Sequence, residues 1–124
     1  MAYSSYPFHL CVCRSEAAAR ALGVTALPLR CDSMVKYGLV ARGDASIYMR
    51  FPKPGYIENV WDHAAGVVIV EAAGGCVTDA DGKRLDFSTG IKLRGNVGVV
   101  ATNGALHGIV LEAVSHGADS LVVS

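Results

Sequence analysis

Residues 61–75, W-D-H-A-A-G-V-V-I-V-E-A-A-G-G, constrain the fold more than any other part of this sequence. The block is long, alanine-rich and free of proline, and a pair of glycines closes it. That pattern predicts a buried helix of about four turns. Its wholly apolar run, Val67–Val70, stops at Glu71. Nothing here reaches the ~20 apolar residues that a membrane-spanning helix needs. A buried helix must be covered, so the flanking segments have to supply a layer to cover it.

Those segments alternate between helix and strand patterns. Ser15, the alanine-rich stretch 16–22 and Gly23 read as an N-cap, a short helix and a glycine stop. Residues 27–31 are a short apolar run entered through Pro28, a strand start. Asp32 and Ser33 are placed to cap a helix over 34–41 that ends near Gly43. Residues 46–51 set Ile47, Met49 and Phe51 against Ser46, Tyr48 and Arg50, a period of two that predicts a strand with one buried face. Pro52 and Pro54 end it, and Gly55 follows in a loop. Residues 76–79 form a short strand, Asp81-Gly82 a turn, and 85–87 a further extended piece. Residues 96–102 predict a strand buried on both faces, and Asn103-Gly104 turns it into a last helix over 105–114. The alternation predicts an α/β layered domain. At 124 residues the chain is one domain, spanning 1–124.

Composition closes off several function classes. Apolar residues make up 52% and charged residues 18%, which excludes intrinsic disorder. Eleven basic residues balance eleven acidic ones, so no electrostatic footprint points to nucleic acid or to a membrane surface. The first ten residues lack the cationic-then-apolar order of a signal peptide. Cys11 and Cys13 form a C-x-C without a zinc-finger partner, and Cys31 and Cys76 stand apart. Four reduced thiols in an intracellular, cytoplasmic protein is the expectation.

The order W-D-H-A-A-G, V-V-I-V-E-A-A-G-G, V-T-D, D-G and L-D-F resembles the C-terminal signature of the inositol monophosphatase superfamily, metal-dependent, lithium-sensitive phosphomonoesterases. Upstream, D-S-M-V-K-Y at 32–37 and I-Y-M-R-F-P at 47–52 resemble its 3'(2'),5'-bisphosphate nucleotidase branch, most of all the plant and yeast salt-tolerance enzymes. The resemblance covers roughly residues 9–114. It implies the C-terminal α/β lobe of a layered αβαβα sugar-phosphatase-type fold. It also implies a magnesium-dependent reaction that removes the 3'-phosphate of adenosine 3',5'-bisphosphate, giving AMP and clearing a by-product of sulfate assimilation. An inositol phosphate phosphatase is the alternative within the superfamily. A catalytically silent module that binds nucleotide or pairs with a relative is the alternative outside catalysis.

Carried over residue by residue, the resemblance makes Asp62 a metal ligand beside the transferred phosphate. It makes Ser33, Lys36 and Arg50 contacts to the nucleotide, and sets His9 against that nucleotide by spacing. After His9 the branch often reads H-S-x-H-D, whereas this chain has H-L-C-V-C. Each residue also has a plainer reading. Asp62 and Ser33 suit helix caps, Lys36 and Arg50 suit solvated charges, and His63, His107 and His116 suit structural roles, with support of a metal ligand as the other option for His63. The superfamily's upstream glutamate and D-P-x-D-G-T segment have no counterpart here, since the chain holds no D-P and no Glu-Glu pair. One carboxylate cannot hold a magnesium cluster, so the chain is expected to be incomplete as a catalyst. The expected partner is a small nucleotide bisphosphate, and an exposed lobe interface is expected to favour homo-oligomers.

Overall fold

The computed structural model describes residues 2–4, 9–31 and 34–122. Five strands, β1 (Ala2–Ser4), β2 (Leu29–Cys31), β3 (Ile47–Arg50), β4 (Cys76–Thr78) and β5 (Val99–Thr102), form one sheet in the order β2-β1-β3-β5-β4. β1 runs parallel to both β2 and β3, while β5 is antiparallel to β3 and β4. Four helices cover it: α1 (His9–Ala21), α2 (Val35–Arg42), α3 (Ala64–Ala72) and α4 (His107–Val122).

The strand period sorts the core into two layers. Ile47, Met49 and Phe51 with Val100 pack under Ala18 of α1 and Val110 and Val114 of α4. Tyr48, Val99 and Ala101 face the other way, under Tyr37 and Val40 of α2 and Val67 and Val70 of α3. The molecule is thus helix, sheet and helix in three layers, with alternate side chains feeding opposite cores. β5 is buried on both faces, as its sequence predicts. The expectation of one buried face for β3 is corrected: Tyr48 is 2% exposed. β3 lies between β1 and β5 with helices above and below, so its Tyr48 face is also covered.

Helix ends follow local chemistry better than helix starts. Gly23 adopts φ 70°, its N–H bonds Arg20 O at 3.0 Å and that of Val24 bonds Ala19 O at 3.0 Å, a Schellman stop. Gly74 and Gly75 repeat this on α3, bonding Glu71 O and Val70 O. The start of α1 corrects the reading: Ser15 is no cap but lies inside the helix, 3% exposed. The caps expected at Asp32 and Ser33 fall outside the described residues.

The block 61–75 is not one buried helix. Val60–Asp62 forms a single 3₁₀ turn, His63 departs from helical angles at φ −132°, and α3 begins at Ala64. α3 buries one face, Gly66, Val67 and Val70, against α2 and the sheet. Val68 and Ile69 on its other side are 67% and 50% exposed, and Trp61 is 59% exposed. Residues 85–87 form no strand; they lie in a loop whose Asp86 N–H donates to Asn96 Oδ1 at 2.8 Å. Among the described residues no helix is long and apolar enough to cross a membrane.

Candidate nucleotide-binding site

On the α2/α3 side of the sheet the apolar core gives way to a line of polar and aromatic side chains. Lys36, in the first turn of α2, is 4% exposed. Its Nζ donates to Cys31 O at the end of β2, at 3.1 Å, and lies 5.6 Å from the centroid of the Tyr48 ring. The solvated-charge reading of Lys36 is therefore corrected. Its stem is buried and its head is held between a carbonyl and a ring face. Tyr48 meets Tyr37 edge to face, with centroids 5.0 Å apart.

From Tyr37 a hydrogen-bonded chain runs to the next strand position on the same face. The Tyr37 hydroxyl lies 2.5 Å from His63 Nδ1, and His63 Nε2 lies 2.9 Å from Glu58 Oε2. The other oxygen of Glu58 accepts from Arg50 Nε at 2.5 Å. One neutral tautomer of His63 satisfies both of its contacts, accepting a hydrogen bond from the Tyr37 hydroxyl at Nδ1 and donating one from Nε2 to the carboxylate. His63 and Glu58 are 2% and 5% exposed, so the chain is shielded from water.

The electrostatics follow from that shielding. Burial alone would push the Glu58 carboxyl up, but the hydrogen bonds from His63 and Arg50 and the charge of Arg50 outweigh it and hold the group below its usual range. Burial would lower Arg50, and the Glu58 contact instead holds it above its usual value. Desolvation drives both buried phenols upward, so Tyr37 and Tyr48 stay protonated.

Glu58 is delivered by the irregular segment between β3 and the 3₁₀ turn. Two backbone bonds anchor that segment: Leu93 N–H to Glu58 O and Val60 N–H to Ile91 O, both 2.9 Å. Asp62 ends the 3₁₀ turn with its carboxylate exposed, and Asn59 Nδ2 approaches its Oδ2 at 3.4 Å. Asp62 does not cap α3; His63 occupies that position.

Lys36 thus lies over Tyr48 of the aromatic pair, Arg50 follows two residues along the same strand, and Asp62 immediately precedes His63, which bonds Tyr37. Ser33 lies outside the described residues, and so does the side chain of His9, whose backbone opens α1. Sequence reasoning missed Glu58, Tyr37 and Tyr48. The two tyrosines stand inside the quoted K-Y and Y-M-R motifs, so a signal was present; Glu58, in an aperiodic loop, offered none. His63, next to Asp62 in sequence, bonds both Tyr37 and Glu58.

A second buried polar knot lies beneath α4. His107 is 7% exposed and sits between Thr78 Oγ1 at 2.8 Å and Thr102 Oγ1 at 3.0 Å. Desolvation holds its pKa below the usual histidine value.

Comparison with known proteins fits this geometry. Residues 12–117 match the inositol monophosphatase family. The chain is 55% identical over 96 residues to a protein of Oryza sativa named 3'(2'),5'-bisphosphate nucleotidase, covering 77% of this chain and 27% of that one. It is 46% identical over 100 residues to a Dictyostelium discoideum protein of the same name, covering 81% and 30%. The chain therefore spans between a quarter and a third of the length of these relatives. Among solved structures it resembles the IMPase of Thermotoga maritima, with TM-score 0.66, 22% identity and coverage of 96% and 41%. It also resembles an inositol monophosphatase from Anabaena, with TM-score 0.61, 26% identity and coverage of 93% and 42%.

Proposed function

Since this chain belongs to the inositol monophosphatase family, we propose that it is the nucleotide-binding, C-terminal lobe of a phosphomonoesterase that removes the 3'-phosphate of adenosine 3',5'-bisphosphate to give AMP. The observation that carries this reading is that Lys36 lies over the ring of Tyr48, which meets Tyr37 edge to face, while Arg50, two residues along the same strand, is held by Glu58. A nucleotide bisphosphate carries several negative charges and a flat base. Lysine and arginine answer the first, and arginine can grip a phosphate through a planar fork. The names of the relatives at 46–55% identity support the same substrate class. An inositol phosphate, with no aromatic base, makes less use of this set.

Phosphatases of this family are generally metal-dependent, and magnesium is the ion proposed here. The described residues do not build its site alone. Among them no group of three or more His, Cys, Asp and Glu could hold a metal ion. Asp62 offers one exposed carboxylate, and the neighbouring Asn59 has a buried Oδ1 with no hydrogen-bond partner. Two oxygen-bearing side chains fall short of the near-octahedral set that magnesium requires. That shortfall favours, for these 124 residues taken alone, the second reading: a module that binds nucleotide, or pairs with another chain, without turnover. The exposed Trp61, Val68 and Ile69 give such pairing an apolar surface, which sedimentation of the chain with and without Val68→Glu would test. A cytoplasmic location is proposed with it.

Titration calorimetry of the chain with adenosine 3',5'-bisphosphate and with AMP tests the main reading. Arg50→Ala should weaken the bisphosphate by roughly tenfold to a hundredfold, the worth of one charge-assisted phosphate contact. AMP should weaken less. Equal loss for both ligands would remove the 3'-phosphate from the reach of Arg50.

A further inference from the structure

Glu58 is a buried carboxylate with two partners on different elements: Arg50 on β3 and His63 at the start of α3. Stability alone is a weak reason for such a group. Replacing a buried ion pair by apolar side chains of similar volume is often neutral or stabilising. The geometry is more specific than an ion pair requires. Oε1 takes the inner Nε of Arg50, the nitrogen that fixes the plane of the guanidinium, at 2.5 Å. Oε2 takes His63, whose neighbour is Asp62, at 2.9 Å. His63 is fixed in turn by the hydroxyl of Tyr37, whose ring is edge-on to Tyr48. One carboxylate therefore connects the strand bearing the candidate phosphate contact to the turn bearing the candidate metal ligand.

We infer that Glu58 is a positioning residue, which sets the guanidinium plane of Arg50 and its registry to the Asp62 turn, and so governs recognition of the phosphate. This rests on the proposal that Arg50 contacts the nucleotide. A flexible arginine would pay the full entropy of ordering on each binding event, whereas one pinned at Nε presents its fork already oriented. Nothing in the sequence around residue 58 marks this role.

A double-mutant cycle on the purified chain tests it, with the dissociation constant for adenosine 3',5'-bisphosphate as readout. Glu58→Gln keeps the volume and removes the charge. It should weaken binding about tenfold in the parent and less than about twofold in an Arg50→Ala background, because its effect passes through Arg50. Equal losses in both backgrounds would show that Glu58 acts on the fold or on the ligand directly, overturning the inference. Arg50→Lys leaves the buried carboxylate paired and so guards against a variant that fails to fold. It keeps the charge but has no plane to set, and should bind nearly as poorly as Arg50→Ala. Parent-like binding by Arg50→Lys would overturn the inference. The two layers separate cleanly: if Arg50→Ala itself leaves binding unchanged, the functional reading falls and this inference with it. If Arg50→Ala weakens binding but Glu58→Gln does not, only the inference falls.

Discussion

Gly66 is where a single methyl group should do most damage. Its φ is not in the left-handed region, so the position needs glycine for space and not for backbone freedom. A Cβ built there would fall well inside 3.0 Å of Tyr37 Cγ and Cδ2, and 2.8 Å from Cε2. The ring has nowhere to go, because Tyr37 is 1% exposed, packed on Tyr48 and hydrogen-bonded to His63. Two effects oppose each other in Gly66→Ala. Alanine is the better helix former by about 1 kcal/mol. Overpacking a tight core costs about 1–3 kcal/mol, and loss of the tyrosine hydrogen bond adds about 1 kcal/mol more. The clash wins by about 2 kcal/mol, which lowers Tm by roughly 8 °C in a domain of this size. Thermal unfolding followed by circular dichroism is the assay. Gly38→Ala is the control: it lies in α2 with nothing within 4 Å of the added methyl, and should be neutral or stabilising. In a Tyr37→Leu background Gly66→Ala should cost much less, since the ring it strikes is gone. A Gly66→Ala chain melting within about 2 °C of the parent would refute the packing argument.

Asp79 is fully buried, and its carboxylate accepts from the N–H groups of Asp81, Lys83 and Val97 and from Asn96 Nδ2. Asp79→Ala strands those donors and should cost about 3 kcal/mol, read from denaturant unfolding. His107 has a folded pKa below its unfolded value near 6.5, so the unfolded chain takes up the proton first as pH falls. Stability should therefore decline below about pH 6.5 until the folded value is passed, and His107→Gln should flatten that slope in melts taken between pH 7.5 and pH 5. Phosphate release from adenosine 3',5'-bisphosphate with magnesium should stay near background, because among the described residues no group of three or more metal-ligating side chains comes together. Robust release that vanishes in Asp62→Asn would show that one does.

What could be read from the sequence was what local chemistry decides. The glycine stops at 23, 43 and 74 are consequences of left-handed backbone, and they sit where the sequence puts them. The alternation at 46–51 gave the correct sorting of Ile47 and Met49 from Tyr48. It could not show that the tyrosine face is covered too, because that depends on α2 and α3 arriving from distant positions in the chain. Residues 61–75 failed for a similar reason. Nothing in W-D-H-A-A-G disfavours a helix, yet His63 leaves helical geometry while its ring bonds Tyr37 and Glu58. A tertiary contact there overrides local propensity.

The same distinction explains the candidate site. Lys36, Arg50 and Asp62 were legible as chemical types, but types do not determine placement. A lysine on α2 and an arginine on β3 could each point into water, where a long side chain must surrender its rotamer freedom to bind a phosphate. Here burial has already taken that freedom. Lys36 lies along Tyr48 with its head on the Cys31 carbonyl, and Arg50 is pinned by Glu58. The entropy of ordering these cations is lost on folding, so little of it would be charged against the proposed nucleotide. Tyr48, under Lys36, packs edge to face on Tyr37, and Tyr37 is in turn hydrogen-bonded to His63. If these cations are the nucleotide contacts proposed above, recognition depends on the packed layer beneath them as much as on the cations themselves.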